Sequence, residues 1–147
     1  MLKVIVKPFS ELTTKLLYEI LQLRSEVFVV EQNCVYQDID FKDQKALHVI
    51  GLKKDKVIAY TRIFKPNDYF LEASIGRVVV KKTERKFNFG HQIVTASINA
   101  ITTNFKETTI KISAQTYLKN FYESHGFKKI GKEYLEDGIP HIAMIKK

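Results

Sequence analysis

The residues best suited to chemistry lie between Ile75 and His91, in IGRVVVKKTERKFNFGH. Val78, Val79 and Val80 read as the end of a strand, Lys81 to Lys86 as a basic turn, and Gly90 as the opening of an apolar helical pattern. A strand feeding a basic turn and then a helix N-terminus is suited to holding phosphate. The first amides of a helix lack intrahelical partners, and the macrodipole favours an anion there. Arg85, Lys86 and His91 add side-chain donors. Taken alone the pattern is loose, because most basic turns are simply solvated.

The surrounding elements are legible from periodicity. Leu2, Val4 and Val6 alternate with Lys3 and Lys7, a first strand ended at Pro8. A helix follows from about Thr13, with Leu16, Leu17, Ile20, Leu23 and Val27 as its apolar stripe and Ser10 or Thr13 as its cap. Glu31 to Asp43 reads as a polar, irregular loop with one short helical turn. Ala46 to Leu52 and Lys56 to Phe64 form a hairpin turning at Lys54 and Asp55, and the second strand is apolar on both faces. Glu72 to Val80 is a further strand, with Gly76 as the expected bulge or point of close approach. The helix after Gly90 should bury Val94, Ile98, Ile101 and Phe105. Thr108 to Ala114 then returns parallel to the preceding strand through a right-handed crossover. Thr116 to Ser124 is a short helix stopped by Gly126, and strands Phe127 to Tyr134 and Ile139 to Ile145 turn at Glu136, Asp137 and Gly138.

Composition narrows the partners. The 147 residues suit one domain, without linker, repeat or low-complexity segment. The single cysteine, Cys34, excludes an internal disulfide and a cysteine-rich metal site, and reads as a small buried hydrophobe. His48, His91, His125 and His141 lack metal-ligand spacing, so no metal is expected. No apolar run approaches the ~20 residues of a membrane span, and no secretory signal is evident, so a cytoplasmic protein with no membrane partner is expected. The formal charge of +8 favours polyanions, but only Lys81 to Lys86 concentrates it beside a helix start. That favours a local anion site over a nucleic-acid groove.

Four blocks in order carry a resemblance: Leu23 to Asp40 (LRSEVFVVEQNCVYQDID), Ile75 to Gly90, Ala114 to Phe127 (AQTYLKNFYESHGF) and Tyr134 to His141 (YLEDGIPH). Together they resemble the GNAT superfamily of acyl-CoA-dependent N-acyltransferases, and within it the ElaA-like branch. The resemblance implies one N-acetyltransferase domain over residues 1–147, an α/β (α+β) fold. Its sheet is mixed and mostly antiparallel, with roughly six to seven strands, helices on both faces, and one parallel pair that splays to hold CoA. The superfamily phosphate motif reads Gln or Arg, two residues, Gly, one residue, Gly or Ala. Here it reads Arg85, Lys86, Phe87, Asn88, Phe89, Gly90, so Asn88 stands where glycine is usual and Lys86 replaces another common glycine. Asn is the non-glycine residue that best tolerates positive φ, so the turn should keep its shape.

Acetyl-CoA is the implied acyl donor, with its pantetheine arm pairing along Val78, Val79 and Val80 as an added strand would. Its pyrophosphate would rest on the amides of Phe87 to His91 beside Arg85 and Lys86, and Gln115 matches a frequent Asn or Gln position near the arm. Acyl transfer needs a neutral amine, an oxyanion donor near Val78 or Val79 where a bulge frees an N–H, and a proton for the leaving thiolate. By resemblance Tyr122, in FYESHGF, supplies that proton, whereas spacing alone reads it as core. The general base stays open among Glu31, Asp40, His48, Glu72, His141 and water. Asp38, Asp40, Asp43, Glu136 and Asp137 either draw a cationic amine to the mouth or serve ordinary turns.

Acetyl transfer to a primary amine of a small molecule or peptide, by direct attack in a ternary complex, therefore ranks first. A non-catalytic acyl-CoA-binding regulator, motivated by Asn88, ranks second. A basic nucleic-acid-binding module ranks third, because no stacked aromatic array, zinc knuckle or basic helix accompanies the charge. The acceptor and the oligomeric state, a homodimer included, stay open.

Overall fold

The computed structural model describes residues 1–147. Its strands are β1 (Lys3–Pro8), β2 (Leu47–Lys53), β3 (Lys56–Phe64), β4 (Ala73–Val80), β5 (Ile110–Gln115), β6 (Lys128–Glu136) and β7 (Ile139–Lys146). Its helices are α1 (Thr14–Arg24), α2 (Phe89–Phe105) and α3 (Lys119–Glu123). The seven strands make one mixed sheet in the order β1-β2-β3-β4-β5-β7-β6. Only the β4–β5 pair is parallel. No helix is long and apolar enough to cross a membrane.

Local chemistry accounts for these elements. The Thr13 hydroxyl caps α1 by accepting the Leu16 amide at 3.1 Å, so Thr13 rather than Ser10 is the cap. Lys54 and Asp55 both hold positive φ, which lets the two-residue turn follow the twist of β2 and β3. Every residue of β3 after Lys56 is buried, because α1 covers one face of the sheet and α2 the other. On the α2 side Ile93, Val94 and Ile101 pack with Val49 and Ile63; on the α1 side Ile20, Leu23 and Val27 pack with Ile50 and Tyr60.

Several expectations are corrected. The buried stripe of α2 runs through Ile93, Val94, Ser97, Ala100 and Ile101, leaving Ile98 and Phe105 half-buried. Ser97 is accommodated there by hydrogen bonds to Thr61 (2.6 Å) and the Ile93 carbonyl (2.7 Å). Beyond Arg24 the first helix continues through Ser25–Glu31 in wider, π-type turns, so the irregular segment begins at Gln32.

That segment is not a solvated loop. Arg24, fully buried at the end of α1, donates to Asp38 Oδ2 (3.0 Å), the Asp38 carbonyl (2.9 Å) and Asp43 Oδ1 (2.9 Å). Arg62, buried in β3, donates to Asp43 (2.8 Å) and to both oxygens of Asp40 (2.8 and 2.6 Å). Arg77 in β4 lies 2.7 Å from Asp38 and donates to its carbonyl at 3.0 Å. Asp38, Asp40 and Asp43, open between drawing an amine and serving turns, are thus spent on arginines, whereas Asp137 pairs with none.

Removing one member of such a set leaves a buried charge unpaired. Asp43→Ala removes the carboxylate that Arg24 and Arg62 share, leaving three arginines to two aspartates, and should cost about 3–5 kcal/mol, read from the urea unfolding midpoint. The set also sets an acid limit. Burial alone would raise the Asp40 carboxyl, but the hydrogen-bonded Arg62, with Arg77 nearby, outweighs it and holds the group well below the usual carboxylate range. A depressed folded value gives stability that is present above the unfolded carboxylate value of about 4 and lost as pH falls below it. Asp40→Asn should therefore flatten the acid limb of Tm against pH.

Candidate active site

Strands β4 and β5 share register only at Ala73 with Ile110 and Ser74 with Lys111. Beyond these pairs β4 stays bonded to β3 and β5 to β7, so two strand edges part and a cleft opens. It has two compartments. The larger, about 520 Å³, lies toward the start of α2 and is lined by Val78, Val79, Val80, Asn88, Gly90 and His91. The smaller, about 120 Å³, lies toward the β6–β7 turn. Val78, Gln115 and Tyr122 line both.

A bulge marks the wall between them. Tyr60 faces Val79 and Arg62 faces Gly76, so β4 takes three steps while β3 takes two. The irregularity falls at Arg77 and Val78, where Arg77 has φ of +50°, and not at the expected Gly76. The contacts of Arg77 with Asp38 hold this left-handed residue in place.

At the anion end, Asn88 adopts φ of +67° and ψ of 18° immediately before α2, the left-handed geometry expected of the residue replacing glycine. Its side chain makes no capping hydrogen bond to the helix. The basic turn before it winds as short helical turns over Lys82–Phe87. Arg85 reaches back, donating to the Val80 carbonyl (3.0 Å) and to Glu31 (2.5 and 2.8 Å), and Glu31 and Arg85 both line the larger compartment. The hydrogen bond from Arg85 holds the Glu31 carboxyl below its ordinary value. The side chains of Lys86 and Phe87 are exposed and outside the compartment's lining, and Phe89 is buried in the core.

Tyr122 is 6% exposed, set edge-on to Phe121 and Phe127. Burial pushes its phenol well above the ordinary value, so it stays protonated at neutral pH. A protonated phenol thus stands where the compartments meet.

Residues 13–147 match the family model described as an acetyltransferase (GNAT) domain. The chain belongs to the GNAT acetyltransferase family. Protein ElaA of Escherichia coli is 43% identical over 139 residues, covering 93% of this chain and 91% of ElaA. The crystal structure of ElaA superposes with a TM-score of 0.93 at 40% identity over the whole of both chains. An acyl-CoA N-acyltransferase from Pseudomonas aeruginosa superposes at 0.94 with 37% identity, again over both whole chains.

Within this GNAT chain, geometry separates the five candidate bases. His48 is fully buried away from the cleft, bonded to the Tyr60 hydroxyl (2.6 Å) and the Asp43 carbonyl (2.9 Å). Asp40 is taken by Arg62, Glu31 by Arg85, and Glu72 lines neither compartment. His141 alone of the five lines the smaller compartment. Its Nδ1–H donates to the Ile139 carbonyl at 2.7 Å, so that in the neutral ring Nε2 carries the lone pair, and Nε2 lies 3.5 Å from Glu136.

Sequence reading missed Arg24, Arg62, Arg77 and the His125 partner of His91, 2.9 Å away. A signal existed for two of them: Arg24 sits on the stripe of Ile20, Leu23 and Val27, and Arg62 interrupts an apolar strand. Charges at such positions require buried partners.

The left-handed turn at Asn88 is testable. Asn88→Gly should leave thermal stability nearly unchanged, whereas Asn88→Val should lower it by about 1–2 kcal/mol, because a β-branched residue resists positive φ. Equal stability of the two variants would mean that the turn does not need this geometry.

Proposed function

We propose that this protein transfers an acetyl group from acetyl-CoA to a primary amine by direct attack in a ternary complex. The observation that carries the reading is the parting of β4 and β5 beyond Ser74 and Lys111, with Tyr122 at the junction of the two compartments. Unpaired strand edges need hydrogen-bond partners, and an extended pantetheine arm along Val78 to Val80 supplies them. The pyrophosphate fits the amides from Asn88 to His91 at the start of α2, a helix of 17 residues. Arg85 stands beside that place and can exchange one contact with Glu31 for phosphate. Gln115, which donates to Gln32 at 3.4 Å, borders both compartments and can meet the arm.

Attack of the amine on the thioester places negative charge on oxygen and then on sulfur. The bulge at Arg77 and Val78 is where β4 departs from regular pairing, and an amide there meets the oxygen. The neutral phenol of Tyr122 then gives its proton to the departing thiolate. Asn88 keeps the left-handed geometry of the glycine it replaces, which supports the catalytic reading over a non-catalytic regulator.

Two measurements check this reading. CoA should raise Tm, since a ligand at a hundred times its Kd adds about 2.7 kcal/mol to native stability, and Arg85→Glu should remove most of the rise. No shift and no calorimetric binding at millimolar CoA would sink the proposal. Tyr122→Phe should keep the CoA-induced shift while kcat falls about 10²–10⁴-fold. A kcat within roughly twofold of the parent, far below that range, would make Tyr122 a packing residue.

A further inference from the structure

The smaller compartment gathers Ser113 from β5, Glu136 at the end of β6 and His141 on β7, all lining one space with Tyr122. Ser113 donates to Glu136 at 3.0 Å and is hydrogen-bonded to the Tyr134 hydroxyl, and the Tyr134 ring stacks on His141. We propose that this cluster is the acceptor subsite: it takes a primary amine as its ammonium ion, with no carboxylate on the amine-bearing carbon, and His141 Nε2 accepts the proton that frees the nucleophile. The proposal rests on the acyltransfer reading and names its substrate class.

Charge selects the ligand. Arg77 is the one Arg or Lys lining the compartment, and Asp38 and Asp40 already answer it. Glu136 is paired with no Arg or Lys and meets only His141 Nε2, at 3.5 Å, and Asp137 has no ion-pair partner. An ammonium therefore meets carboxylates that no Arg or Lys holds. A carboxylate beside the amine would meet like charge without a free cation to receive it. At about 120 Å³, walled by Phe70, Ile112 and Ile139, the space suits a small amine or the end of an alkyl chain.

Proton transfer balances. The ammonium loses one proton to His141, which passes it to solvent, and the nitrogen then attacks the thioester carbon. As the tetrahedral adduct collapses the C–S bond breaks, the thiolate takes the Tyr122 proton, and the second nitrogen proton restores Tyr122. Around His141 stand Glu136, Asp137 and Tyr134 of the hairpin. Across the space stand Cys34, Tyr36 and Tyr69 of the connecting segments, Arg77 of β4 and Tyr122 of α3.

The test uses acetyl-CoA with matched pairs that differ by one carboxylate: phenethylamine and phenylalanine, tyramine and tyrosine, agmatine and arginine. The decarboxylated member should lead by about tenfold or more in kcat/KM, the size of a modest like-charge penalty. Glu136→Gln, at an exposed residue that should not disturb folding, is expected to raise KM for the amines and narrow that gap. His141→Gln should lower kcat about 10²–10⁴-fold with the CoA-induced Tm shift retained. The parent's kcat/KM should level off below the pKa of the amine, whereas that of His141→Gln should follow the free-amine fraction up to it. Equal use of amino acids, or an unchanged pH profile in His141→Gln, would overturn the proposal. If His141→Gln fails to fold, the Glu136→Gln gap decides. Protein that shifts with CoA yet acetylates no amine of the panel refutes the subsite while leaving CoA binding in place; absence of the shift itself refutes the acyltransfer reading.

Discussion

Past Ser74 and Lys111 the sheet stops bonding to itself: β4 and β5 continue side by side without a shared ladder. Backbone N–H and C=O groups at such edges demand partners, and a sheet interior rarely leaves them free. The rest of the molecule is arranged around this parting. Pairing of β4 with β3 and of β5 with β7 holds each edge of the gap firm on its far side. The start of α2 and the β6–β7 turn then close its two ends with opposite chemistry, amide donors and basic side chains at one, carboxylates at the other.

The arginine–aspartate set gives this geometry its rigidity. Arg24, Arg62 and Arg77 come from α1, β3 and β4, and the three aspartates come from one irregular segment. Their pairing draws that segment against the sheet and braces the bulge at Arg77. A well-packed apolar cluster of the same volume could be as stable, but hydrogen-bonded charges accept fewer alternative arrangements. The cost is a local sensitivity to acid.

Much of this was legible in the chain. Alternation in β1, two-sided apolarity in β3 and the crossover from β4 to β5 follow directly from residue spacing, and Asn88 adopts the left-handed backbone its residue type permits. What escaped reading depends on contacts distant in sequence. Asp38 and Asp43 look like loop residues until Arg24 and Arg62 are seen buried against them. Arg85 reads as a phosphate donor, yet Glu31, 54 residues away, holds it. His141 was one of five candidate bases, and only folding brings Glu136, Ser113 and Tyr122 into the same cleft with it.

The structure of the protein crystallised with CoA is the most direct measurement of the central claim, that the parted strands bring a thioester to Tyr122. The pantetheine arm should run along Val78 to Val80, the pyrophosphate should rest on the amides before and within the first turn of α2, and the sulfur should lie within about 3.5 Å of the Tyr122 hydroxyl, near hydrogen-bond reach. CoA bound elsewhere, or a sulfur well beyond reach of that hydroxyl, would contradict it.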